Sequence, residues 1–504
     1  MSPSLGFGVL ILAGGQGTRM KSPLPKVLTE VSGQPILFHT LDKVLRAAPD
    51  ATIGIIVGYA REKVEAAVRA HPVYGRANIT FIVQQTQKGT GHAARCGMES
   101  AWGQALVKKK RPVLVLPGDF PLLRTELITQ MMEPLPTAVS VRLLTTHLAD
   151  PTSYGRVVRR GKEGPVLRIV EEKDANQREK EIHEVATSIY SFQSAFLTSA
   201  LDRISDKNAQ KEYYLTDVVA QAARTSSSKK RIDVLKWLQS EDLIGVNNPW
   251  ELTQAEAILN QRGLKDWAMQ GVRFLSPSTT FVNTSVRLSP GVSIGPGVVL
   301  CGQTTVGEGT TIGPHCVLKD VEIGAGAEIK AGTVAEKSRI GDKASVGPYA
   351  HLRPDSEVGA SCKIGNFVEL KKTRVGAKTN IAHLSYLGDA EVGSGVNIGC
   401  GFITCNFDGR VIDGSRKHKT IIEDDVFMGS DCQVVAPRRI GRGAYVASGS
   451  TITKDVAADE LAFARARQVN KAGYAKRFRD APAAEHSEAP AVSPVAPPVP
   501  GVKE

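Results

Sequence analysis

Large aromatic side chains are scarce in this 504-residue chain, where 14 Phe, 10 Tyr and 4 Trp amount to 6% of the residues. A core filled mainly by rings is excluded, so small and β-branched residues must do the packing. Cysteine is sparse and unpatterned. Seven occur, at 96, 301, 316, 362, 400, 405 and 432, an odd count without a CxxC pair. This argues against a disulfide framework or zinc site and for a reduced, cytoplasmic setting. No stretch of about 20 apolar residues exists, so no membrane insertion is expected. The apolar start LGFGVLILAGG has no positive flank and runs into a Gly-rich loop. It reads as a buried strand rather than a signal peptide. Acidic residues are in deficit, 51 against 63 Lys and Arg, for a net charge of +12. That suits a plain basic surface or anionic substrates such as nucleotides, sugar phosphates or coenzyme A. Nucleic acid is not expected, because no long basic stripe appears beyond Lys108-Lys109-Lys110-Arg111.

What is abundant is glycine, with 48 residues. The length predicts two or three domains. Up to residue 248 the apolar runs Val9–Ala13, Ile53–Val57, Ile79–Val83 and Val113–Leu116 each precede a polar or helical stretch. This predicts a mostly parallel α/β sheet with ligands at the strand C-terminal ends. Asn248-Pro249 then opens a helical linker, placed at 249–272, by N-cap and Pro-at-N1 logic.

From about 273 to 456 aliphatic residues recur every sixth position. The runs are Ile294 to Leu318, Ile340 to Leu370 and Ile422 to Ile452, many followed by Gly. A helix wants a period of 3.6 and a plain strand 2. A period of six means one inward anchor per short strand, the signature of a parallel β-helix with about 18 residues per coil. CNFDGRVIDGSRKHKT, residues 405–420, breaks the period and reads as an external loop. Residues 457–478 read as a cap, and the Pro/Ala-rich 479–504 as a disordered tail.

The first strand leads into LAGGQGTRM, residues 12–20, with LPK at 24–26. Glycine N–H groups cradle phosphates, and Arg19 and Lys26 bring two cations to them, as phosphoryl chemistry requires. With the β-helix behind it, the chain resembles the bifunctional N-acetylglucosamine-1-phosphate uridyltransferase/glucosamine-1-phosphate acetyltransferases from about residue 5 to 470. The resemblance implies a Rossmann-like nucleotidyltransferase domain over 1–248 and a left-handed hexapeptide-repeat β-helix.

It also implies UTP and sugar-nucleotide contacts at Leu12, Ala13, Gly14, Gly15, Lys26, Gln84, Gly89, Thr90, Pro117, Gly118, Asp119, Gly155, Glu171 and Asn247. Asp119 and Asn247 would hold Mg²⁺. For either alone the plainer reading is a turn former or a helix cap. KEYYLTD, residues 211–217, is a further signature of the family.

In the second half, polar residues stand where the repeat prefers small ones. The resemblance makes His383 the general base. It places glucosamine 1-phosphate on Arg353, Lys371, Tyr386, Asn397 and Lys417, and acetyl-CoA on Cys400, Asn406, Phe407, Ser430, Ser448 and Arg465. The implied reactions acetylate glucosamine 1-phosphate, then join N-acetylglucosamine 1-phosphate to UTP. Lys417 would reach a neighbour's site in a homotrimer.

Four departures stand out. Ala186 and Ser188 replace the Asn and Gly of Glu-x-Asn-Thr-Gly, Cys400 replaces Ala, Phe402 a small residue, and Phe407 Tyr. The external loop is also longer than usual. Two other readings remain at this stage: a monofunctional sugar-1-phosphate nucleotidyltransferase with a regulatory β-helix, and a non-catalytic scaffold.

Overall fold

The structure, a computed structural model, describes residues 6–161, 163–224, 231–412 and 414–480. The tail expected over 479–504 lies outside the described residues from 481 on.

Nine described strands of the first half form one sheet. They are β1 (Gly8–Leu12), β2 (Thr52–Val57), β3 (Ile79–Val83), β4 (Val113–Pro117), β5 (Val141–His147), β6 (Gly155–Arg159), β7 (Val166–Val170), β8 (Glu184–Phe192) and β9 (Ile232–Lys236). Their order is β9-β5-β8-β4-β1-β2-β3, with β6 bridging β8 and β7. β1 lies parallel to β2 and β4, and β3 parallel to β2. Helices cover both faces, so Val9, Leu10 and Ile11 are fully buried and the strand reads as a continuous apolar run. Parallel pairing holds on this side and again at the far edge, where β9 lies parallel to β5. β8 runs antiparallel to both β4 and β5, and β6–β7 is an antiparallel hairpin.

The loops after β1, β3 and β4 leave the sheet together. Ala13 N–H donates to Ile56 O (3.0 Å), Gly118 N–H to Leu12 O (2.9 Å) and Gln84 N–H to Val57 O (2.8 Å). These three turns, each at the C-terminal end of a strand, therefore open on one edge.

The second half is a left-handed parallel β-helix. Each six-residue anchor named above is at most 4% exposed. Between the runs the period continues in shortened steps, Leu318 to Ile323, Ala335 to Ile340, Leu370 to Val375 and Leu387 to Val392, all buried. A corner one residue shorter keeps the anchor inward, which is why the interruptions carry no break in the coil. Corner hydroxyls and thiols tie each coil to the next: Thr310 Oγ1 donates to Gly324 O (2.8 Å) and Cys362 Sγ to Gly376 O (2.9 Å). Cys316 and Cys432 are buried in the same way. Phe402 is fully buried as a large inward residue.

One outer face carries Glu322, Arg339, Glu357, Arg374 and Glu391 in register, coil upon coil. Opposite charges about 4.8 Å apart favour this stacking, and a one-coil slip would put like charges together. The coil also extends past 456. Leu461–Ala462 pairs with Tyr445–Val446, so the expected cap contributes a final strand before the short helix Tyr474–Arg479.

The linker is the 21-residue helix Pro249–Met269. Asn248 caps it, accepting from Trp250 N and Glu251 N (both 3.0 Å). Fully buried Asp242 accepts from Arg262 on this helix (2.5 Å), from Arg124 (3.0 Å) and from Trp237 (2.8 Å). Asn260 bonds the first coil, donating to Thr280 O (2.7 Å) and accepting from Val282 N (2.9 Å). The helix thus has polar anchors in both halves. No described helix is long and apolar enough to cross a membrane.

Candidate functional site

The edge where the loops converge encloses a cavity of ≈ 740 Å³. Leu12, Ala13, Gly14, Gly15, Arg19, Lys26, Gln84, Gly89, Thr90, Pro117, Asp119, Gly155, Glu171 and Asn247 all line it. Of the residues expected for UTP and its sugar product, Gly118 alone is not in the lining.

Gly17 shapes the loop. At φ 65° it occupies the left-handed region, and a Cβ there would meet Lys26 Cβ at 2.5 Å. Glycine therefore lets the loop close over the lysine stem. The Lys26 ammonium contacts the Asp119 carboxylate and donates to Asn247 Oδ1 (3.1 Å). These three residues are 93 and 221 positions apart in sequence. They meet because Val246 N–H donates to Asp119 O (2.9 Å). Asn247 is not the helix cap, since Asn248 takes that role, and its side chain turns to the cavity.

Sequence reasoning missed Glu251, which also lines the cavity. Its carboxylate accepts from Asn247 N (2.6 Å) and from Asn248 Nδ2 (2.8 Å), so it fixes the turn that presents Asn247. Gln87 was missed as well, and donates to Gly14 O (3.3 Å).

On the far wall, burial pushes the Glu171 carboxyl above its ordinary range, while a hydrogen bond from Thr216 (2.9 Å) opposes the shift. Ala186 pairs with Gly155 across β8–β6 and lines the cavity beside Ser188. A bulge between Ala186 and Tyr190 puts Ser188 at φ 59°, a conformation that suits glycine. The buried Tyr190 hydroxyl has no hydrogen-bond partner among the described residues.

The second constellation lies on the outside of the β-helix. His383 Nδ1 meets Asn366 Oδ1 at 2.9 Å, one coil away in register. An amide oxygen only accepts, so this bond places the ring proton on Nδ1 and leaves the Nε2 lone pair free. Asn366 is thus an orienting residue that the sequence reading did not single out.

From His383 a corner track runs along the coils. Gly401 N–H donates to Leu384 O (2.9 Å), Asp431 N–H to Cys400 O (2.7 Å) and Gly449 N–H to Ser430 O (2.9 Å). Arg465 closes it by donating to Ser448 O (2.8 Å). Cys400, Ser430 and Ser448 therefore occupy equivalent corners of successive coils, and the track from His383 to Arg465 spans about 19 Å at coil spacing.

Across the neighbouring strands, Arg353 and Lys371 follow Leu352 and Leu370 at matching positions. Arg353 is paired with Glu369 (2.9 Å). Glu369 in turn sits beside Tyr386 in register. Burial raises the Tyr386 phenol above its usual range. Gly388 gives the Tyr386 hydroxyl room, because a Cβ there would strike both that oxygen and the Asn406 amide. Asn406 donates to Asp389 (2.6 Å), and Asn397 pairs with Phe427 on the next strand. The Lys417 ammonium lies over the Phe407 ring of its own loop, 4.2 Å from the centroid. In a single chain this constellation is an open surface rather than a closed pocket.

Comparison with known proteins covers both halves. Residues 9–159 match the MobA-like NTP transferase domain family, and residues 285–320 and 337–372 match the bacterial transferase hexapeptide family (six repeats). The bifunctional protein GlmU of Shouchella clausii is 40% identical over 472 residues, covering 93% of this chain and 98% of the relative. That of Geotalea uraniireducens is 41% identical over 469 residues (93% and 98%), and that of Trichlorobacter lovleyi 42% over 474 (94% and 98%). Likeness that runs through the nucleotide-cradling sheet, the linker helix and the coils alike leaves neither half as a borrowed module, and the chain belongs to the bifunctional GlmU family.

Proposed function

We propose that the two constellations are the two active sites of this chain, the cavity for uridylyl transfer and the corner track for acetyl transfer. As a member of its family the chain is a bifunctional enzyme of UDP-N-acetylglucosamine synthesis. It acetylates glucosamine 1-phosphate with acetyl-CoA and then transfers uridylyl from UTP to N-acetylglucosamine 1-phosphate. The observation that carries the residue-level reading is the convergence of Lys26, Asp119 and Asn247 in a cavity lined by the Gly-rich loop.

In uridylyl transfer a phosphate oxygen of the sugar attacks the α-phosphorus of UTP, and the bond to the β-phosphate breaks to release pyrophosphate. Arg19 and Lys26 neutralise the phosphates, Gly14 and Gly15 let them approach the backbone, and Gln84 with Gly89 reads the base. Asp119 and Asn247 fit Mg²⁺, because two hard oxygens converge on one cationic group. Phosphate and water would supply the remaining ligands. When bound there, Mg²⁺ supplies further neutralisation of charge on the phosphates.

In acetyl transfer the sugar amine attacks the thioester carbonyl. His383 Nε2 takes the amine proton as the C–N bond forms, and the coenzyme A thiolate leaves. Arg353 and Lys371 hold the sugar phosphate. Tyr386 and Asn397 orient the ring, and Asn406, Ser430, Ser448 and Arg465 line the coenzyme.

We assign the chain to the cytoplasm, which suits its seven free thiols. We further assign it a homotrimer in which Lys417 completes a neighbour's acetyl site. The open track supports this, as do the exposed Phe281, Val317, Val334, Tyr349, Phe367 and Leu384 along adjoining coils. Purified protein should release thiol from acetyl-CoA and pyrophosphate from UTP, each only with its own sugar phosphate. It should scatter light as three chains. Failure of either release removes that half of the reading, and a monomer with full acetyl transfer removes the shared site.

Ala186 modifies the sugar wall. The amide that the family motif offers is absent, and a net hydrogen bond is worth about 0.5–1.5 kcal/mol, or about 2- to 12-fold. Ala186→Asn should lower KM for N-acetylglucosamine 1-phosphate by that factor and leave KM for UTP unchanged in a pyrophosphate-release assay. No change in either constant means that a neighbour such as Ser188 already makes the contact.

A further inference from the structure

The Lys26 ammonium does not wait in open cavity for a phosphate. It contacts the Asp119 carboxylate and donates to Asn247 Oδ1 (3.1 Å), the same two oxygens that the proposed function gives to a divalent cation. All three groups sit against the protein rather than in bulk water, with the Lys26 and Asp119 side chains 14% and 19% exposed. Two cations at one oxygen pair repel each other strongly in such surroundings. The pair is also held firmly. Asp119 O accepts from Val246 N, and Glu251 grips the backbone of Asn247, so the oxygens do not readily part to serve both cations.

Resting on the reading that Asp119 and Asn247 are the metal ligands, we propose that Lys26 is their resident counter-cation. It keeps the two oxygens together in the metal-free protein and has to leave them before a divalent cation enters. The lysine stem passes under Gly17, at the loop that cradles phosphate. A triphosphate bound on that loop offers the departing ammonium a new partner. Lys26 then acts twice, as a competitor of the metal in the free protein and as a phosphate ligand once nucleotide is present. Loading of the metal becomes coupled to loading of the nucleotide, and free divalent cation does not accumulate in the cavity beforehand.

The test needs no turnover. Mn²⁺ alone, without nucleotide, is titrated into the full-length protein and free Mn²⁺ is followed by electron paramagnetic resonance. Lys26→Met, which keeps the stem and removes the charge, should bind Mn²⁺ at least about tenfold more tightly than wild type. Lys26→Arg, which keeps a cation there, should stay near wild type. Lys26→Gln serves as a second uncharged variant should the Met variant unfold on thermal scanning. Asp119→Asn should weaken binding in either background. Equal or weaker binding in Lys26→Met and Lys26→Gln, with the Asp119→Asn effect intact, overturns the competition but keeps the metal reading. Mn²⁺ binding indifferent to Asp119→Asn overturns the metal reading itself.

Discussion

Asp119→Ala should cut Mg²⁺-dependent pyrophosphate release by about 10³-fold or more while thiol release from acetyl-CoA stays near its wild-type rate. The size follows from what the carboxylate does. It is one of the two oxygens that meet the Lys26 ammonium at the proposed cation position, and it carries the formal negative charge of that pair. Metal neutralisation of a phosphoryl transition state is worth several kcal/mol, and about 4 kcal/mol is 10³-fold. The selectivity follows from the architecture. Asp119 closes the β4 turn in the first half, whereas His383, Arg353 and Lys371 stand on coils beyond the linker helix. The backbone of Asp119 also keeps its bond from Val246 N in the variant, so the turn survives the loss of the side chain. Both rates are measured on the same preparation, with far-ultraviolet circular dichroism as the check on folding. Loss of both activities in a folded protein contradicts two independent sites. Retention of pyrophosphate release removes Asp119 from the metal role.

Much of this was legible because each signal is local. Anchors six residues apart, such as Ile294 and Leu300, betray a coil whose strands are only two or three residues long. The Gly-rich loop follows directly on a buried strand, and Asn248-Pro249 marks a helix start. What escaped was set by contacts between coils or across the sheet. Asn366 meets His383 from 17 positions away, one short of the regular coil because a shortened corner lies between them. Glu251 looks like an ordinary first-turn acid of a capped helix, and only the fold turns its carboxylate toward the Asn247 backbone. The antiparallel run of β8 between the parallel parts of the sheet escaped too, because an apolar strand buried on both faces reads alike in either direction. The shortened corners hid part of the repeat, since a step of five between Leu318 and Ile323 looks like an interruption until both side chains are seen facing inward.

The second large effect is expected at His383. His383→Ala should lower acetyl transfer by about 10²- to 10⁴-fold, the usual cost of losing a general base, and leave pyrophosphate release from UTP untouched. The structure gives a reason for the role beyond residue type. Asn366 Oδ1 lies 2.9 Å from Nδ1 and can only accept, so among the neutral tautomers it selects the one with the proton on Nδ1 and the lone pair on Nε2. Asn366→Ala should leave the base in place but free to rotate, reducing kcat by less than His383→Ala does while KM for acetyl-CoA stays unchanged. A His383→Ala rate within a few-fold of wild type takes His383 out of the base role. Asn366 would then be a partner of a surface ring rather than of a catalytic one.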